Sequence, residues 1–348
     1  MTAKEAEPKK YRRIGLYVPI LVLLLLAIGW SVFWYISATI TGREIGAWIK
    51  REAEDGRIWA CPDRSVGGYP FRIEITCKEP SFSGPAVGIP MAGKLAGIHL
   101  VAQLYNPKLV IGEADGPFDL TLPQDGSHTN VNWKVLQISV RGEPDTLQRA
   151  SLSADQIEVK VALPNGSSFN ARADNFQIHM REGDKGQHAS DFAVAGINAV
   201  SSDLEDATGI SAPATLQANG QITQINAIGG ATIAQMLDRW RLAGGTLTLE
   251  SASLVQGSLN AQATGSLRID AGHRIEGRVD LTASGLGPVL QRYGIAPQLL
   301  DIGGLIGGLL GGRAPAPRSG QIRVPLTFER GQLGLGPVRG LAVVPPLY

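Results

Sequence analysis

Residues 71–77 read Phe71-Arg72-Ile73-Glu74-Ile75-Thr76-Cys77, with apolar and polar side chains in strict alternation. Successive side chains of a strand point to opposite faces, so this period of two marks a strand with one face buried and one wet. The rhythm returns along the chain: Phe118, Leu120 and Leu122 around Asp119 and Thr121, Ile157, Val159 and Val161 around Glu158 and Lys160, Phe176, Ile178 and Met180 around Gln177 and His179. It recurs at Leu247 and Leu249, at Val279 and Leu281, and at Val324, Leu326 and Phe328. Parallel strands are covered on both faces and read as continuous apolar runs, so the alternation predicts antiparallel sheet with one face against a core or a ligand.

Turn formers punctuate these runs. Two joins read as hairpins: Val161–Phe169 around Asn165-Gly166, and Leu267–Val279 around Ala271-Gly272. The 43 glycines in 348 residues, about 12% against a usual 7% or so, fit the turns, bulges and bends of a long curved sheet. Helical spacing is rare. Ile233, Met236, Leu237 and Trp240 show it, with Gly244-Gly245 as a stop, and Pro288–Tyr293 suggests a second short helix. The expected fold is mainly β with minor α: an N-terminal transmembrane helix, then long, curved antiparallel sheets with a few capping helices.

Upstream of the first strand, the 24 residues Ile14–Ser37 carry no charge. A bilayer core takes about 20 apolar residues in a helix, so this segment spans it with some tilt. Ile14, Leu24, Trp30, Trp34 and Ser37 mark its course, with Tyr17 near one end and Trp30, Trp34 and Tyr35 near the other, as amphipathic rings favour the two interfaces. Lys4, Lys9, Lys10, Arg12 and Arg13 precede it, whereas the flank after it mixes Arg43, Glu44, Lys50, Arg51 and Glu52. The positive-inside rule then keeps the N-terminus cytoplasmic and exports the remainder, giving a single-pass inner-membrane protein with a periplasmic bulk. The alternative is a cleaved signal ending near Ala38, but its apolar region would ordinarily be only about 7–15 residues.

The expected organisation is a cytoplasmic tail over 1–13, a transmembrane helix over 14–37 and a juxtamembrane amphipathic helix over 38–60. Two β-rich halves follow over 61–205 and 206–348, separated by the acidic, proline-bounded stretch Ser201–Ala214, or forming one continuous domain. Within 38–60, Ile45, Trp48 and Ile49 share a helical face. That face either lies on the outer leaflet or belongs to a helix that continues from the span and packs on the sheet.

Cys61 and Cys77 are the only cysteines, and both fall in the exported part, where an even pair most simply forms a disulfide. A catalytic or metal-binding pair is the sharper reading, but the spacing is not C-x-x-C and no histidine clusters nearby. His99, His128, His179, His188 and His273 fall at polar strand or loop positions, and no H-E-x-x-H or G-x-S-x-G occurs. Neither a catalytic site nor a cofactor or metal site is expected. Gly334-Leu335-Gly336-Pro337 lacks the lysine of a phosphate loop and reads as a turn, as does the sequon Asn165-Gly166-Ser167. Leu299–Gly312 holds G-x-x-x-G spacings at Gly303/Gly307, Gly304/Gly308 and Gly308/Gly312 but is too short for a span, and reads as an apolar flap or a loose loop. A net charge of +1 supplies no basic footprint for nucleic acid.

Three stretches resemble a bacterial envelope family, the domain of unknown function 2125. The first is Gly68-Tyr69-Pro70-Phe71-Arg72-Ile73. The second runs from Trp240 through Gly244-Gly245-Thr246-Leu247 and Gly265-Ser266-Leu267-Arg268-Ile269-Asp270 to Gly277-Arg278-Val279-Asp280-Leu281. The third is the terminus, with Pro345-Pro346-Leu347. These are glycines, turns and strand residues, which fix backbone geometry rather than chemistry, and the resemblance implies no catalytic residues. An anchor followed by a curved sheet is also distantly similar to AsmA-like envelope proteins, a fold-level analogy that implies a part in lipid handling. The functional expectation is a non-enzymatic anchored protein whose sheet offers a groove to lipid acyl chains or another apolar ligand. The rivals are a scaffold that binds another envelope protein and a periplasmic hydrolase.

Overall fold

The computed structural model describes residues 17–86, 88–143, 146–183, 190–228, 230–292, 321–335 and 338–348. Helix α1 spans Val18–Glu54 without interruption. The segment expected as a juxtamembrane amphipathic helix over 38–60 continues from the apolar segment as part of α1, which ends at Glu54, and Ile58–Ala60 is already the first strand, β1. No glycine or proline pair breaks the turn after Ser37, so the apolar and amphipathic segments share one axis.

The strands form one antiparallel sheet in which three lanes each hold two collinear strands, so that 18 strands make a sheet fifteen lanes wide. β1 and β2 (Asp63–Gly67) share the first lane, and β3 (Arg72–Lys78) and β4 (Ser81–Ala86) share the second. β5 (Ile89–Gln103) and β6 (Asn106–Leu122) follow; β7 (Ser127–Asn132) and β8 (Val135–Glu143) then share the fifth lane. Beyond them run β9 (Thr146–Ala162), β10 (Ser168–Glu182), β11 (Ser190–Ser201), β12 (Ala214–Ile222) and β13 (Leu247–Gln256). β14 (Leu259–Ile269), β15 (Ile275–Ser284), β16 (Gln321–Glu329), β17 (Gln332–Leu335) and β18 (Val338–Val343) complete it. At the usual lane spacing the sheet is about 70 Å across. Both predicted hairpins are present, β9–β10 around Gly166 and β14–β15 around Gly272.

The expected boundary at 205/206 falls inside a short helix, α2 (Ser202–Thr208), and β11 pairs with β12 across it. Sheet pairing is thus continuous through that boundary. Helix α3 (Ile233–Leu242) matches the predicted Ile233–Trp240 pattern: the Thr232 hydroxyl caps it by accepting from the Gln235 amide at 3.2 Å, and Gly244 at φ +73° follows its end. Its buried Trp240 donates to the Thr223 carbonyl at 2.8 Å, and a Cβ at Gly245 would collide with the indole. The second predicted short helix is α4 (Gly287–Arg292). Leu299–Gly312 lies outside the described residues.

Following directly opposed residues from lane to lane gives a single row across thirteen lanes. It reads Val66, Ile75, Leu100, Gly112, Ile138, Leu152, Ile178, Val194, Ala218, Ala252, Ala263, Leu281, Val324. Every member is apolar or glycine. The adjacent row reads Ser65, Thr76, His99, Glu113, Gln137, Ser153, Gln177, Ala195, Gln217, Ser253, Gln262, Thr282, Arg323, polar at every position but one. Opposed residues share a face and neighbours in sequence do not, so one face of the sheet is apolar and the other polar. Cross-strand polar contacts confirm the assignment. Gln137 donates to Glu113 at 2.9 Å, Asn130 to Asp119 at 2.7 Å and Gln221 to Asp191 at 3.1 Å, and Arg268 pairs with Glu276 at 2.9 Å.

Candidate functional site

The apolar face is not a filled core. Of its thirteen-lane row only Gly112 is buried; Ile138 is 39% exposed and the other members are half-buried. Buried hydrophobic residues on the sheet are few, among them Ile73, Cys77, Ala154, Ala214 and Leu259. The accessible surface is 23265 Å², against about 14,000 Å² for a compact globule of 36.9 kDa. The exposed stretch of α1 over residues 18–29 contributes to this excess. Among the described residues, no second layer lies over the apolar face.

Helix α1 closes only the first lane of that face. Its residues 18–29 carry exposed side chains and extend past the sheet, and contact begins at Trp30. The Trp30 indole donates to the Pro70 carbonyl at 2.7 Å, and the Trp34 indole donates to the Arg72 carbonyl at 2.8 Å. The Ser31 and Tyr69 hydroxyls share a hydrogen bond of 2.8 Å. Trp34 meets the Tyr69 ring edge-to-face at 5.4 Å, and Trp30 lies 6.0 Å from Phe71. Farther along, Ala38 is buried, Gly42 comes beside Val66 and Gly46 beside Arg64. Trp48 then packs against Trp59 with tilted rings 5.4 Å apart, and Trp59 against Phe82 at 4.5 Å. Glu52 receives both a bidentate Arg57 contact at 2.6 and 2.9 Å and the Trp59 indole; the Arg57 guanidinium holds its carboxyl below the usual range.

The structure therefore brings together residues that the sequence presented as two separate sets. Gly68, Tyr69, Pro70 and Phe71 form the β2–β3 turn, and Trp30 and Trp34 of the apolar segment hold it. Gly68 sits at φ +93°, where a side chain would crowd the Arg72 carbonyl and the Glu74 side chain, so the turn needs glycine there. Leu24 is exposed on the protruding helix, Ser37 is half-buried on its packed half, and Ile14 lies outside the described residues. Cys61 and Cys77 form a disulfide with Cα atoms 5.7 Å apart, tying the first lane to the second.

The polar face carries a depression of about 550 Å³ edged by Arg149, Ser151, His179, Arg181, Asp191 and Glu250. Arg181 is paired with Asp191 at 2.9 Å. A second polar cluster joins α3 to the last residues. Asp238 accepts from Arg241 at 2.7 Å and from the Tyr348 hydroxyl at 3.3 Å, His273 stacks on Tyr348 at 4.5 Å, and the Leu347 amide donates to the His273 carbonyl at 2.8 Å. This cluster holds a carboxylate, a guanidinium, an imidazole and a phenol. Among the described residues, no group of His, Cys, Asp and Glu could hold a metal ion. Sequence reading passed over Tyr348 and Asp238 because 110 residues separate them.

These features define a class of protein: a long apolar helix continuing into, and hydrogen-bonded along, one wide antiparallel sheet with a bare apolar face. A family model described as an uncharacterized protein conserved in bacteria (DUF2125) matches residues 34–343, and the chain belongs to that family. No curated protein matches the chain, and no solved structure matches it.

Proposed function

We propose that the protein is anchored in the bacterial inner membrane by α1, with its N-terminus cytoplasmic and its sheet in the periplasm. In this reading the apolar sheet face takes up lipid acyl chains or another apolar ligand, as a non-enzymatic part of envelope homeostasis. The observation that carries it is the thirteen-lane apolar row, left largely half-buried and without a covering layer among the described residues. Large exposed apolar surface is costly in water and marks an interaction site. The membrane placement draws support from a 37-residue helix whose apolar part is unburied, and the orientation from the basic residues that precede it.

The test is photocrosslinking in cells with the full chain. A benzophenone side chain at position 138 or 152 on the apolar face is expected to give lipid adducts by mass spectrometry, and one at position 137 on the polar face is not. Equal adducts at 137 and 138, or none at either, would overturn the reading.

A scaffolding role by strand addition draws on a different observation. β18 pairs with β17 on one side, and among the described residues its other edge has no partner strand, while Val343 is 83% exposed. A partner added there would leave the apolar face unchanged, so crosslinks from β18 to protein and from position 138 to lipid distinguish the two.

A further inference from the structure

We infer that the two turns beside α1, Gly68–Phe71 and Leu104-Tyr105, form a foot that seats in the interfacial zone of the bilayer that α1 crosses. The inference rests on the reading of α1 as a membrane span, and it adds where the sheet meets that membrane. The hydrogen bonds from Trp30 and Trp34 fix the height of the first turn along the helix axis. Trp30, Trp34 and Tyr35 form the aromatic group near the far end of the apolar segment, and amphipathic rings of this kind favour the membrane interface. The carbonyls of Pro70 and Arg72, bonded to residues 30 and 34, thus lie at the lipid–water boundary.

The second turn is tied to the first, since the Leu104 amide donates to the Phe71 carbonyl at 3.0 Å. Together they present Tyr69, Phe71 and Tyr105 at 58, 61 and 67% exposure. Three large rings on adjacent turns are poorly placed in bulk water, whereas an interface accommodates an apolar body with a polar tip. The occupant is therefore lipid of the same bilayer rather than a second protein. The charge at the turn is compensated, because Arg72 pairs with Glu74.

The foot has a consequence for the apolar face. The row nearest these turns begins Ile73, Ala102, Val110, Val140, Ala150, Met180, so apolar surface starts immediately above the boundary. An acyl chain can move from the bilayer onto the sheet without crossing water.

The test uses the full chain in phosphatidylcholine–phosphatidylglycerol vesicles, with an environment-sensitive fluorophore placed singly at position 71, 105, 137 or 24. Lipids carrying a nitroxide at the headgroup, at acyl carbon 5 or at carbon 12 report depth. Positions 71 and 105 are expected to be quenched best by the headgroup or carbon-5 probe, with iodide quenching about threefold weaker than at position 137. Position 24 is expected to be quenched best by carbon 12. If position 24 responds so and 71 and 105 match 137, the foot is overturned while the span stands. If position 24 is not quenched by carbon 12, the span itself fails and the foot with it.

Discussion

Trp34 and Arg72, 38 residues apart, are joined by an indole N–H donating to a main-chain carbonyl at 2.8 Å. That contact locks the register between the end of the apolar segment and the first hairpin, with the edge of Tyr69 against the same indole. Trp34→Phe removes the donor and keeps most of the ring, so it is expected to cost about 1 kcal/mol. Trp34→Ala also loses the aromatic pair, worth about another 1 kcal/mol. Thermal melting of both variants in detergent checks the order, and limited proteolysis should cut earliest at Gly68–Phe71 in Trp34→Ala.

Closing the 16-residue separation between Cys61 and Cys77 stabilises by about 3 kcal/mol in the chain-entropy model. The double variant Cys61→Ser/Cys77→Ser is expected to melt lower by several degrees. Thiol labelling of the unfolded wild type should appear only after reductant.

The apolar face separates two kinds of sheet by mutation. In a packed core, Ile138→Asp would bury an unpaired charge and unfold the protein. Here Ile138 is 39% exposed, so the variant is expected to keep its melting temperature within a few degrees while losing crosslinked lipid at position 152. Loss of the folded transition would argue for a closed core.

Two non-glycine residues with positive φ sit inside lanes, Glu79 at +48° and Gln156 at +51°. L-residues pay roughly 1 kcal/mol there, which glycine avoids. Gln156→Gly is expected to be neutral or mildly stabilising by denaturant unfolding, and Gln156→Val to destabilise.

Acid should weaken the α3 cluster. The Arg241 guanidinium beside Asp238 holds its carboxyl below the ordinary value of 3.8, helped by Tyr348 and His273. At Asp270, burial pushes the carboxyl up, but the Arg274 and Gly272 amides and the Arg274 guanidinium outweigh it and leave it lowered. A depressed folded-state pKa stabilises above the unfolded value, and that contribution is lost as pH falls through the folded one. The melting temperature is therefore expected to fall below about pH 4, less steeply in Asp238→Asn.

The strands were legible because alternation survives in the sequence, as at Phe71–Cys77 and Phe176–Met180. The thirteen-lane row was not. At Glu79 and Gln156 the backbone turns through positive φ, and bulges such as Leu95/Gly97 shift the pairing, so the apolar parity changes between even and odd positions within one lane. Leu152 and Ala154 share a face with Ile157 and Val159, a relation that no fixed period reveals. The site was half legible: Trp30, Trp34 and Gly68–Phe71 stood out separately, but only the hairpin's placement against the helix joins them. The contact of Trp30 with the sheet was not legible, because packing on a strand needs no change in hydropathy.

The unbroken row also determines how any apolar ligand would travel. Each lane offers the next apolar contact about 4.8 Å away, and twelve such steps cover close to 58 Å. No hydrogen-bonding side chain interrupts them. For a ligand bound as proposed, a surface of that kind would be a rail rather than a socket, favouring sliding over capture.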